Sequence, residues 1–439
     1  MKLLFKIMFG LLLFSSCVET DKGYLVGVQD REQFFQPDPY GMLFIPQGSY
    51  NMGASDQDVP YAQTNQSKTV SVGAFYMDET EITNNEYRQF VEWVRDSIAR
   101  RILGENNEEY LTKEDGNGVE LDPPTLNWRT KIRWNNLKDD ERESLEQMYL
   151  PSNERFFRKK EFDTRKFNFE YFRIDLRSAA TKSGKAQGLK DRSVFIVKDI
   201  VNVYPDTLCW IHDFTYSFNE PLAQSYFWHP AYDNYPVVGV TWKQARAFCV
   251  WRTQILNTYL NSIGQTGFQD FRLPTESEWE WAARGQLDLS PYPWGGPYIR
   301  NSNGCFLGNF KPLRGNYIDD GGLQTIVVGH YAPNDFGLYD MVGNVSEWTI
   351  NAFDESTYNF AHDLNMNYEY EAKDSDPCTM KRKVIRGGSW KDIGYYLQTS
   401  TRTYEYQDTA KSYIGFRCVQ SYLGRNKGDG PSSSNVYNK

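Results

Sequence analysis

The chain has 439 residues, with 57 acidic against 48 basic side chains and a formal net charge of −9. That balance excludes a nucleic-acid binder with a general basic face. Beyond the N-terminus no apolar run reaches the roughly 20 residues that a membrane-spanning helix needs. Aromatic residues make up 16% of the chain, enough for a large core, and the length admits one to three domains.

Lys2 and Lys6 flank and interrupt an apolar stretch from Leu3 to Phe14, too short to span a bilayer and shaped like a secretory leader. It closes on Leu13-Phe14-Ser15-Ser16-Cys17. Small residues ahead of a cysteine resemble a bacterial lipobox. This predicts removal of residues 1–16 and lipidation of Cys17, whose acyl chains hold a protein at a membrane face without crossing it. Residues 17–40 are polar and proline-punctuated and read as a lipidated tether. Five further cysteines, Cys209, Cys249, Cys305, Cys378 and Cys418, form no CxxC pair, so zinc and redox chemistry have no local support. An exported compartment permits a disulfide, whose connectivity the spacing leaves open.

Order begins with the apolar strand Gly41 to Pro46, followed by the turn residues of "GSYNMG". Thr83, Thr241 and Thr275 each precede a Glu or Gln by three positions. This is the capping-box spacing, in which two side chains satisfy orphan amides of a helix's first turn. The first of these helices buries Tyr87, Phe90, Val91, Val94 and Ile98 by periodicity, and the third closes near Gly285. From residue 101 to about 204 the chain is charged and glycine-poor. Between Asn153 and Lys198 there are thirteen Lys or Arg and six Asp or Glu, with Phe and Tyr interleaved. Nucleic acid takes such surfaces but is not a partner expected of an exported protein. A solvated face and a docking surface for an acidic partner remain. Beyond Pro236 glycine, tryptophan and short turns dominate. Residues 424–439 lack the apolar content to pack and read as a disordered tail.

Eight segments now stand in order: "GMLFIPQGSYNMG" (41–53), "FYMDETEITNNEYRQFV" (75–91), "YPVVGVTWKQARAFCVWR" (235–252), "FRLPTESEWEWAARG" (271–285), "YPWGG" (292–296), "FGLYDMVGNVSEW" (336–348), "RGGSW" (386–390) and "GFRC" (415–418). Together they resemble the formylglycine-generating enzyme, or sulfatase-modifying factor, family. The resemblance implies an α/β (α+β) domain with little regular secondary structure, related to C-type lectins. It divides the chain into a first part (41–100), a charged, partly helical insertion (101–234) and a second part (235–423). In the active enzymes two cysteines after the RGGS-aromatic motif bind copper, and a cuprous ion requires soft thiolates. The matching positions are Asp392 and Leu397, so the resemblance implies a pseudo-enzyme with no catalytic cofactor. His212, His229, His330 and His362 are scattered, without ligand spacing, and no GxSxG elbow surrounds Ser346. The family also implies structural calcium, held by hard oxygen ligands. One site falls on Asp340 and Glu347 with the Gly343 and Val345 carbonyls. A second falls on Asn309 and Asp320 with the Phe310 and Gly322 carbonyls.

"GASDQDVPYAQTNQSKTVSV" (53–72), "DETEITNNEYRQFVEWVRDSIARR" (78–101) and "YPDTLCWIHDFTYSFNEPL" (204–222) resemble a lipoprotein branch of that family. That branch belongs to the type IX secretion and gliding-motility machinery. It implies an outer-membrane lipoprotein on the periplasmic face. It further implies self-association in a ring with a GldN/PorN-like periplasmic protein and other secretion components. A related gliding lipoprotein shares the domain motifs, and a surface ligand- or glycan-binding lipoprotein is a further alternative, to which Glu19 and Asp21 lend a faint export-signal character. Phe156, Phe157, Phe162, Phe167, Phe169, Tyr171 and Phe172 are expected either to anchor an interface or to cover the domain's own core.

Overall fold

The computed structural model describes residues 36–54, 66–114, 118–188, 191–213, 215–216, 220–313, 316, 318–319 and 321–424. Cys17, the leader and most of the tether lie outside the described residues, as do Asp320 and residues 425–439. Two units are distinguished, residues 1–37 and 38–439, and the architecture below is that of the second.

Each capping box opens a helix. Thr83 starts α1 (Asn84–Asn106), Thr241 starts α2 (Trp242–Ser262) and Thr275 starts α3 (Glu276–Arg284), with both arms of the box formed in all three. Gly285, at φ 60°, ends α3 in the left-handed region that glycine enters without strain. Tyr87, Phe90, Val91 and Val94 are buried on α1 as their spacing requires, and Ile98 is half-buried. The helix runs on to Asn106, so the domain boundary drawn at residue 100 falls inside it. Ala99, Arg100 and Leu103 are buried too, because the segment that follows folds back onto the last turns.

The strands are short, as the glycine- and turn-rich sequence implied. β1 (Met42–Ile45) pairs with β4 (Phe75–Asp78), which pairs with the last strand β14 (Val419–Ser421), which pairs with β9 (Phe271–Arg272), all antiparallel. A second sheet has the order β12 (Thr403–Tyr406), β11 (Arg382–Arg386), β10 (Ser346–Ala352), β13 (Ile414–Gly415), with β10 and β13 parallel. Three two-stranded sheets complete the set: β2 (Gly48–Met52) with β3 (Lys68–Val72), β5 (Leu111–Glu114) with β6 (Glu120–Leu126), and β7 (Asn168–Ile174) with β8 (Ile196–Asn202). The Sγ atoms of Cys249 on α2 and Cys418 lie 3.5 Å apart in the core. Among the described residues no helix is long and apolar enough to cross a membrane.

The charged segment is partly core. β7 alternates with the two-residue period of a strand, turning Phe169 and Tyr171 inward and Phe172 outward. The Phe169 ring meets Phe90 of α1 edge-on at 5.3 Å, and Phe167 belongs to the same buried cluster. Phe162 stacks on Tyr149 at 4.6 Å. The seven aromatics divide between the two expectations: Phe167, Phe169 and Tyr171 are buried in the core, Phe162 is half-buried, and Phe156, Phe157 and Phe172 are exposed. Accordingly, Phe169→Ala is expected to lower unfolding free energy by about 3–5 kcal/mol in urea denaturation. Phe172→Ala is expected to change it by no more than about 0.5 kcal/mol.

Candidate functional site

β11 delivers Arg386 into the turn Gly387-Gly388-Ser389. The two glycines sit at φ 93° and 66°, and a Cβ on either would lie within 3.0 Å of a facing carbonyl, Met341 O or Tyr396 O. The close approach and the left-handed backbone together explain why both positions are glycine. Ser389 is fully buried, and its hydroxyl donates to Asp392 Oδ2 at 2.7 Å. Burial raises the Asp392 carboxyl above its usual range, and hydrogen bonds from Ser389 act against that rise. Leu397 is also fully buried, among Tyr292, Phe306, Phe310 and Val342. The two positions where the resemblance places copper thiolates thus hold a hydrogen-bonded carboxylate and an apolar side chain. Neither is a soft ligand, and the residues do not fit copper.

The neighbouring loop 340–347 is wound through left-handed backbone at Asp340 (φ 51°), Gly343 (φ 84°) and Asn344 (φ 57°). Asn344 is its hub. Its side-chain amide donates to Glu81 Oε2 at 2.6 Å, its side-chain oxygen accepts from Ile326 N, and its backbone N–H donates to Asn309 O at 2.9 Å. Gly343 N donates to Gly387 O and Trp390 N to Asn344 O. The copper-position turn and both candidate calcium loops are therefore one hydrogen-bonded block.

Within that block Asp340 is buried. Its Oδ2 accepts from Gly329 N at 2.5 Å, and burial pushes its carboxyl up to about 6. Both oxygens of Glu347 accept from Arg417 Nε at 2.8 Å, Oε1 accepts also from Nη2 at 2.6 Å, and Oε2 from Trp279 Nε1 at 2.7 Å. Glu81 is fully buried, and its carboxyl stands well above the ordinary range. Burial is the main cause, the Asp340 and Glu347 charges add to it, and Arg417 opposes it. Three carboxyl groups thus lie near one guanidinium, and Arg417 is hydrogen-bonded to Glu347 among them. Asp340 Oδ2 is engaged by Gly329 N, and both oxygens of Glu347 are taken by Arg417. In the second set Asn309 Nδ2 donates to Gln324 O at 2.7 Å, Phe310 is buried beside Leu397, and Gly322 lies in the adjoining turn. Among the described residues no three His, Cys, Asp or Glu side chains group so as to hold a metal.

Two of the four histidines serve local turns. His229 Nδ1 accepts from Ala231 N, and His362 Nδ1 from Leu364 N. Sequence reasoning missed Glu81, Arg417 and a second buried ion network. In that network Arg402 Nε donates to Glu276 Oε1 at 2.7 Å, Arg284 to Glu280, and Arg386 to Glu280. Its signal was present: Glu276, Glu280 and Arg284 recur every four residues on a face of α3 that otherwise packs inward.

The model of the sulfatase-modifying factor enzyme 1-like domain matches residues 29–154 and 187–422. The chain belongs to this family. The match reaches beyond the motif blocks and leaves residues 155–186 outside it. Among relatives, the inactive C-alpha-formylglycine-generating enzyme 2 of Bos taurus is 35% identical over 201 residues, covering 44% of this chain and 53% of that protein. The formylglycine-generating enzyme of Bos taurus is 24% identical over 391 residues, covering 88% of this chain and 76% of that one. PvdO from Pseudomonas aeruginosa aligns in structure with a TM-score of 0.44 at 16% identity, over 87% of this chain and 94% of that one. The chain spans about half the length of the inactive relatives it matches. The family thus includes members named inactive alongside enzymes.

Removing one partner of a buried ion pair strands the other charge. Arg417→Met is therefore expected to cost about 3–5 kcal/mol, and Arg417→Met with Glu347→Leu less than the sum of the two single changes. Chemical denaturation of the three variants measures both.

Proposed function

We propose that the chain is a non-catalytic scaffold lipoprotein of the GldK/PorK kind, held on the periplasmic face of the outer membrane. It self-associates in a ring with a GldN/PorN-like protein and supports type IX secretion or gliding. One observation carries the non-catalytic part: the fully buried Leu397 and the Ser389-bonded Asp392 occupy the positions of the thiolate pair. The kinship with proteins named inactive supports the same reading. The lipobox at Cys17 and the branch-like phrases support the location and the assembly. Acyl chains confine the molecule to a surface, which raises effective concentration for ring closure, and head-to-tail contacts close a ring.

Calcium belongs to this proposal in a structural role. Asp340 with the Gly343 and Val345 carbonyls supplies hard oxygens, and Glu347 joins only by releasing a donor. The ion stabilises the loop and takes part in no chemistry.

Gentle extraction of the native protein, affinity capture and electron microscopy test the scaffold. Large rings containing a second periplasmic protein are expected, and isolated monomers without partners sink the reading. Incubation with copper and a cysteine-containing peptide is expected to give no aldehyde-reactive product, and its appearance overturns the non-catalytic part. Millimolar calcium is expected to raise the Tm over that in chelator, and Asp340→Asn to abolish the increment. A Tm indifferent to calcium in the parent chain removes the ion from the proposal.

A further inference from the structure

Residues 151–160 form a loop with a braced base and an apolar tip. At the base Leu150 N donates to Glu161 O and Asp163 N to Met148 O, both at 2.9 Å, and Tyr149 stacks on Phe162. Arg155 Nε donates to Leu150 O at 2.6 Å, Arg155 and Lys160 both pair with Glu146, and Arg165 reaches back to Glu154. These bonds fix the loop against the body of the protein.

The tip does the opposite of packing. Phe156 is 73% exposed and Phe157 87%, and their rings meet each other edge-on at 4.5 Å. Phe157 and the next residue, Arg158, are both in left-handed backbone, at φ 46° and 58°. Bulky residues rarely adopt that conformation, and two in succession are held there by the surrounding structure. Single exposed apolar residues are commonplace. Two adjacent phenylalanines thrust outward on a strained, braced turn are not.

Charge says what meets them. Arg155 to Lys160 ("RFFRKK") has four cations and no acid, in a chain whose net charge is −9. Arg158, Lys159 and Lys160 are exposed beside the two rings. An anionic surface therefore attracts this tip. Two rings are too small an apolar area for a stable protein interface, which covers about 800 Å² on each partner. A bilayer needs no matching shape, and apolar side chains flanked by Lys and Arg are what its interfacial layer takes up. The tip also lies in the stretch outside the family match.

We propose that this loop is a membrane-inserting tip: Phe156 and Phe157 enter the interfacial layer of a bilayer carrying anionic phospholipid, while Arg158 and Lys159 meet the phosphates. With the acyl anchor it gives the protein a second point of contact, which fixes orientation as well as location. The proposal rests on the reading that the chain is held at a membrane, and the test separates the two.

The full lipidated chain is placed in phosphatidylethanolamine–phosphatidylglycerol vesicles doped with a photoactivatable phospholipid, and adducts are mapped by mass spectrometry. Adducts are expected both at the Cys17 end and within 151–163. Phe156→Ser with Phe157→Ser should reduce the second about tenfold and leave the first and the unfolding curve unchanged. Arg158→Glu with Lys159→Glu, or phosphatidylcholine in place of phosphatidylglycerol, should reduce it likewise. Adducts at the Cys17 end alone overturn the tip and leave the anchor standing. No adduct at either place overturns both. In native membranes, cross-links from 151–163 to a protein instead of lipid assign the tip to an acidic protein partner and overturn the lipid proposal.

Discussion

The buried ion pair between Arg417 and Glu347 is the constraint on which the second unit depends. Arg417 sits just before the last strand and Glu347 at the start of β10, so the pair joins the two main sheets. The guanidinium also donates to the carbonyls of Asp78, at the end of β4, and Tyr339, while Trp279 of α3 holds the other side of the carboxylate. Five chain segments therefore meet at two side chains that are no more than 1% exposed. Moving such charges out of water is costly, and the cost is offset only when every donor and acceptor finds a partner. The donors of Arg417 do so in one geometry.

The second ion network gives the enzyme-like motifs a structural role. Glu276 and Glu280 come from "TESEWEW", Arg386 from "RGGSW" and Arg402 from the position just before β12. All are buried, and Arg386 also donates to the Ser400 and Thr401 carbonyls at 2.8 Å. These residues form the interior that supports the turn where a metal would sit in an active relative. Changing Asp392 or Leu397 leaves that support intact. Leu397 even strengthens it, since an apolar side chain among Tyr292, Phe306 and Phe310 packs where a thiolate would have to be solvated or ligated.

How much of this the sequence displayed depends on the range of the interaction. The capping boxes are local, involve residues three apart, and formed at all three places. The glycines of "RGGSW" and the inward face of α1 were visible for the same reason. Glu81 and Arg417 lie more than 250 positions from some of the groups they bind. No spacing rule reports such contacts. The charged segment misled in a specific way. Its basic residues suggested a surface throughout, yet β7 hides every second side chain, and period-two alternation within a seven-residue strand is hard to see amid arginines and lysines. Cys17 and Asp320 fall outside the described residues.

A scaffold asks something of a fold that an enzyme does not. An enzyme needs one pocket held to close tolerance. A ring subunit needs its partner-facing surfaces fixed relative to each other over the width of a domain. The two buried ion networks stiffen the second unit, since they tie distant segments through directional bonds that tolerate little rotation. The braced base of loop 151–160 extends the same stiffness to its tip. A fold selected for a precise site is thus already suited to rigid assembly. Asp392 and Leu397 at the turn leave both networks in place.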